Sequence, residues 1–146
     1  MAKKSEKNSQ KILKNQIENM EKSIDTVEKI SKEQEQEKLR KKAIQEKIEL
    51  IKTDLQNQLE SQGKFGKFFD DLIDDYLFLV KLKEDLQNDI NLKGIRYDCM
   101  TGNGYTTEKP NESVQNILKV NGQMLKILQD LDLKAPSEDG GGDGLL

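Results

Sequence analysis

The chain has no histidine and no tryptophan, one cysteine and only two prolines. Without histidine, and with Cys99 alone, the usual general bases, nucleophile pairs and zinc-ligand sets cannot be assembled. Neither an enzyme nor a resident cofactor or metal is expected. A single cysteine excludes an internal disulfide framework and suits a reducing cytoplasm. No apolar run approaches the roughly 20 residues that cross a bilayer. Met1-Ala2-Lys3-Lys4-Ser5-Glu6 lacks the apolar core of a signal peptide. The expectation is a soluble, intracellular protein without a membrane partner. From Ser5 to Gln62 there is neither glycine nor proline, so nothing local forces a break. Before Phe65 there is no aromatic residue, which argues against stacking on single-stranded bases.

What is present is charge. Charged residues make up 35% of the chain and hydrophobic ones 34%, a balance that fits long helices with narrow buried stripes. The net charge of −3 is unevenly spread. Residues 1–67 hold 16 Lys/Arg against 12 Asp/Glu, whereas residues 68–146 hold 8 against 15. Contact with nucleic acid therefore falls to the first half, since the second repels phosphates.

Helical periodicity dominates. Leu13, Ile17, Met20, Ile24 and Val27 recur at alternating spacings of four and three, and Ile44, Ile48, Ile51, Leu55 and Leu59 nearly repeat this. Ser31 to Lys38 contains no apolar residue and reads as a solvated helical bridge or, in preference, the joint of a helical hairpin. Gly63 and Gly66 punctuate the chain before a helix expected from about Lys67 to Leu92. Its seam is Phe69, Leu72, Tyr76, Leu79, Leu86 and Ile90, widened by Phe68, Ile73, Leu77 and Val80. A further helix is expected from about Asn111 to Leu131, with seam Val114, Ile117, Met124, Leu128 and Leu131, widened by Leu118 and Leu125. Asn121 falls on that seam, either as a register-fixing amide or as a weak point beside Gly122.

Between these helices, Gly94 can cap the first and Pro110 can open the second. Alternating Ile95, Tyr97 and Cys99 face Tyr105 and Thr107 across Thr101-Gly102-Asn103-Gly104, a short hairpin signal. The fold class expected is all-α, with elongated coiled-coil-like helices and an antiparallel helix–β-hairpin–helix oligomerisation core. Three regions follow: a basic helical part over 1–62, the core over 63–133, and a flexible acidic tail over 134–146. One partner helix cannot hide so broad a stripe in a two-helix arm, so self-association is expected through Phe69, Leu72, Tyr76, Leu79, Leu118, Met124, Leu125 and Leu128.

The block from about Lys64 to Pro136, roughly half the chain, resembles the small subunit of tailed-phage terminases. The residues that carry the likeness are Asp89-Ile90-Asn91-Leu92-Lys93-Gly94, Gly104-Tyr105-Thr106-Thr107, Lys109-Pro110-Asn111, Met124-Leu125-Lys126-Ile127-Leu128 and Leu131-Asp132-Leu133-Lys134-Ala135-Pro136. The chain departs from the family pattern at Asp132, where glycine is usual, and lacks the arginine often found shortly after the proline. The resemblance implies a non-catalytic initiator of viral genome packaging in the host cytoplasm, outside the mature virion. Such a protein assembles as a homo-oligomeric ring, binds viral double-stranded DNA, and recruits a large subunit that hydrolyses ATP and cuts DNA.

Candidate DNA-binding residues are Lys3, Lys4, Lys7, Lys11 and Lys14, and the denser Lys38, Arg40, Lys41 and Lys42. Glu33, Glu35, Glu37 and Glu46 flank the second group, which also fits an ordinary charge-laced helix surface. In an oligomer the same cations sum along a duplex. A helix-turn-helix over residues 8–62 is the arrangement that the resemblance suggests, though no glycine turn marks it. On composition the tail fits a frayed end with no role or a short acidic-apolar docking peptide, and the resemblance favours the second, with Asp143, Leu145 and Leu146 as the large-subunit contact. Asp70, Asp71, Asp74 and Asp75 fit a helix N-terminus better than a metal site. Two readings of other classes remain: a prefoldin-like holdase, which also bridges coiled helices with a hairpin, and a plain coiled-coil scaffold.

Overall fold

The computed structural model describes the backbone of residues 2–133 and the side chains from Glu6 onward. The elements are helix α1 (Ala2–Ser61), helix α2 (Lys67–Lys93), strands β1 (Arg96–Met100) and β2 (Thr106–Pro110), and helix α3 (Glu112–Asp130). The chain divides into two compact units, Met1–Ala43 and Ile44–Leu146.

The first unit is helical throughout its described residues. Ser31 to Lys38, expected to be a joint, is uninterrupted helix. Glu, Gln, Lys and Ser there supply helix-compatible backbone and no breaker, and Lys29–Glu33 and Arg40–Glu37 add spaced ion pairs across the stretch. The turn that a helix-turn-helix needs is likewise absent, because α1 covers residues 8–61. Leu13, Ile17, Met20, Ile24 and Val27 lie along this helix 55–64% exposed, too open to count as core.

The second unit is a three-helix packing closed by a hairpin. Residues 44–61 of α1 end in a glycine cap: the Lys64 amide donates to the Leu59 carbonyl (2.9 Å), the Gly63 amide donates to Glu60 (2.9 Å), and Gly63 adopts φ +69°. Leu55 and Leu59 from that segment bury against Ile73 and Leu77 of α2 and against Leu131, just after α3. A second cluster joins Val80 of α2 to Val120 and Met124 of α3, with Ile48 and Ile51 packed beside them.

This packing covers within the chain much of the broad stripe on α2 from which self-association is expected. The stripe on α2 is broad because two helical segments of the same chain cover it. The core therefore extends back to Ile44, beyond the boundary expected at residue 63. The buried line on α3 also differs. It runs through Val120, Met124 and Leu131, with Ile117 before them and Ile127 among them partly buried, while Asn121 sits half-buried to one side. Both lines share Ile117, Met124 and Leu131, so periodicity alone could not choose between them.

The hairpin forms as its sequence requires. Tyr97 pairs with Lys109 and Cys99 with Thr107 in an antiparallel register. The Thr101 amide donates to the Tyr105 carbonyl (2.7 Å) and Gly104 takes φ +79° in the turn. Pro110 closes β2 rather than opening α3, and Asn111 is the residue that caps the helix.

Candidate nucleic-acid interface and hairpin junction

The basic residues of the first unit form two patches. Lys7, Lys11 and Lys14 are exposed along one side of α1 at spacings of four and three. The side chains of Lys3 and Lys4 lie outside the described residues. Lys38, Lys41 and Lys42 are exposed nearly seven turns further on. At about 1.5 Å per residue, 24 residues separate Lys14 from Lys38 by about 36 Å along the axis. A separation of 27 residues, as from Lys11 to Lys38, is about 7.5 turns and puts the two on opposite sides of a straight helix.

Arg40 is partly withdrawn from the second patch. Its Nε and Nη2 donate to the two carboxylate oxygens of Glu37 at 2.9 and 3.0 Å, and its side chain is 25% exposed. The Arg40 hydrogen bond holds the Glu37 carboxyl below the usual carboxylate range, against opposing desolvation and with further help from the Arg40 and Lys41 charges. The Lys41 Nζ lies 3.5 Å from the same carboxylate yet keeps most of its side chain in solvent. The surface left for phosphates is thus lysine-rich and its fork-shaped arginine is already occupied.

The most constructed polar site is the junction where the hairpin returns to α3. Asn111 is 5% exposed, the one buried polar residue among the described ones. Its Oδ1 accepts from the Ser113 amide (3.0 Å), its Nδ2 donates to the Gly94 carbonyl (3.0 Å), and its backbone amide donates to Ile95 (2.8 Å). The side chain caps α3 and ties that cap to the end of α2. Alongside, Ser113 Oγ donates to Asp89 (2.7 Å), and Lys93 pairs with Asp89 at 2.7 Å. These contacts, Lys93 first and then Ser113 and Asn111, lower the Asp89 carboxyl to about 2. Lys93 also lies 5.8 Å from the Tyr97 ring centroid. The sequence marks Asn111 as the start of the expected helix and as part of the resemblance, but assigns its side chain no bonding role. The signal that could have found it is Asn-Glu-Ser directly before an apolar-periodic run, which is a helix-start pattern.

Elsewhere the candidate residues stay apart. Of the acidic group, Asp74 approaches Lys52 at 3.7 Å, and no group of three His, Cys, Asp or Glu suited to a metal ion occurs among the described residues. Of the residues expected at a subunit interface, Met124 is buried within the chain, and Phe69, Leu72, Tyr76, Leu79 and Leu128 pack partly buried against the core. Leu118 and Leu125 are 67% and 62% exposed on α3. Asp143, Leu145 and Leu146 lie outside the described residues. No helix among the described residues is long and apolar enough to cross a membrane.

Comparison of the chain with protein-family models, with curated proteins and with solved structures gave no match.

Proposed function

We propose that the chain is the small subunit of a tailed-phage terminase, a non-catalytic initiator of viral genome packaging. Its first unit engages viral duplex DNA near the packaging start through lysines on α1. The second unit carries the contacts that assemble copies into a ring, and the acidic tail presents Asp143, Leu145 and Leu146 to the large subunit. The observation that carries this reading is the hairpin junction. Separate pieces of the resemblance (Asp89 to Gly94, and Lys109-Pro110-Asn111) meet there as one hydrogen-bonded unit, so they make a single structural module rather than scattered matches.

The role left for self-association is narrower than stripe width implied. Leu118 and Leu125 stand seven residues apart and exposed on α3, and they are the expected interface residues not used in the core. The holdase reading needs flanking helices of matched length with open apolar faces. Here α2 has 27 residues and α3 has 19, and residues 44–61 cover their inner faces.

The deciding experiment is duplex binding across a salt series, with native mass followed in parallel. Replacing Lys38, Arg40, Lys41 and Lys42 together by alanine is expected to weaken binding and flatten its salt dependence while leaving mass unchanged. For every phosphate no longer neutralised, the slope of log K against log salt falls in magnitude by about 0.9. Equal affinity of the variant at low salt retires that patch, and absence of duplex binding by the native chain retires the packaging reading.

A further inference from the structure

The first unit carries an apolar seam with nothing packed on it. Leu13, Ile17, Met20, Ile24 and Val27 follow spacings of four, three, four and three, which in heptad terms is d-a-d-a-d. All five are more than half exposed, while the residues around them, such as Glu18, Lys22, Asp25 and Lys29, are polar. A scattered set of exposed leucines needs no explanation, but five on one line of one helix do. From this seam we infer that residues 13–27 pair in parallel and in register with the same segment of a second copy of this chain.

Three features select that occupant. First, the seam is self-complementary: β-branched isoleucine stands at both a positions, and Leu13 and Met20, which are not β-branched, fill two of the three d positions beside Val27, a pattern close to the one that favours two parallel strands. Second, a parallel pair sets each of the five residues against itself, so all five layers are apolar. An antiparallel pair must set a against d of its partner. Because the seam begins and ends at d, one apolar end must then face Ser31 or Gln10. Third, the flanking positions are compatible with a parallel register. The pairs that would meet across it are Ser9 with Lys14, Gln16 with Glu21 and Ser23 with Glu28, and none joins like charges.

The seam is also bounded. Beyond Val27 the next core positions are Ser31, Gln34 and Lys38, so the pairing ends where Ser31 begins the apolar-free run. Five layers are short for a coiled coil, and pairing is correspondingly weak unless another contact raises the effective concentration. Lys7 and Lys14 fall beside the seam at e positions, so pairing places their two copies along opposite flanks of the pair. This inference stands independently of the packaging reading, since it uses no property of DNA.

Cysteine trapping in the full-length chain tests it. In a Cys99→Ser background, Leu13→Cys and Val27→Cys report the two ends of the seam, and Lys22→Cys reports the outward face. Under mild oxidation both end variants are expected to form homodimers at least about tenfold faster than Lys22→Cys, through the local concentration of a paired seam. Adding Ile17→Lys and Ile24→Lys is expected to abolish the advantage of Val27→Cys. Helicity measured for each variant keeps the comparison valid. End variants that cross-link no faster than Lys22→Cys overturn the pairing. So does a Val27→Cys advantage that survives the two lysines. Cross-linking only between Leu13→Cys and Ile24→Cys chains in a mixture signals an antiparallel pair and overturns the parallel register. Duplex binding is scored separately, so failure of the packaging reading leaves these outcomes intact.

Discussion

At the scale of single residues, Asn111 ties the end of α2 to the start of α3. Its carboxamide satisfies an orphan amide at the start of α3 and reaches the carbonyl of Gly94 at the end of α2. Replacement by alanine removes the cap, worth about 1 kcal/mol and up to about 2. It also frees the Gly94 carbonyl, but Gly94 is exposed and water can take its place. The expected outcome is a destabilisation of about 1–2 kcal/mol, on the order set by the cap, in urea unfolding, with Asn111→Ser recovering part of it. An unchanged midpoint would show that the strand pairing holds the junction without the side chain. Serine can still cap the helix but is too short to bridge to Gly94, which is why recovery is partial.

At the scale of elements, the ends of the helices were more legible than their neighbours. Gly63 and Gly94 both take positive φ at helix ends, as their positions in the chain indicated. Gly94, however, combines φ +81° with an extended ψ of −176°, leading into the strand instead of curling into a left-handed cap. At the end of α3 Asp132 adopts φ +48°, a left-handed geometry that favours glycine. Lys64 compensates from across the unit, donating to the carbonyls of Leu131 (2.8 Å) and Asp132 (2.7 Å), where a cation also meets the negative end of the helix dipole. Asp132→Gly is expected to stabilise the protein by about 0.5–1 kcal/mol, since the strain exceeds the value of an exposed Lys64–Asp132 pair. Thermal unfolding checks this, and a lower midpoint would mean that the carboxylate matters more than the backbone. The expected joint at Ser31 to Lys38 failed for a related reason. Absence of apolar residues says that a segment is solvated, and a solvated segment rich in Glu, Gln and Lys is still a good helix.

At the scale of the whole molecule, the two units differ in what stabilises them. Residues 44–133 hold every buried apolar side chain among the described residues, whereas the first unit holds none. A chain beginning at Ile44 is therefore expected to unfold cooperatively, with a midpoint within about 4 °C of the full-length protein at low concentration. A shift of that size corresponds to about 1 kcal/mol in a domain of about 100 residues. Calorimetry of the two chains checks this, and loss of a cooperative transition would place essential packing before residue 44. The charge division follows a similar line: the basic patches belong to the first unit, while the acidic run of α2 belongs to the second.

The sequence by itself determined α2 and α3, the hairpin with its glycine turn, the charge division and the five-residue seam of α1. All of these are local or periodic properties that a few neighbouring residues specify. Only the tertiary structure decided that residues 44–61 join the core, that the buried line of α3 runs through Val120, and that Arg40 folds onto Glu37. Each of those depends on which faces meet, and a helix with apolar residues on two adjacent lines offers both to its neighbours until packing selects one.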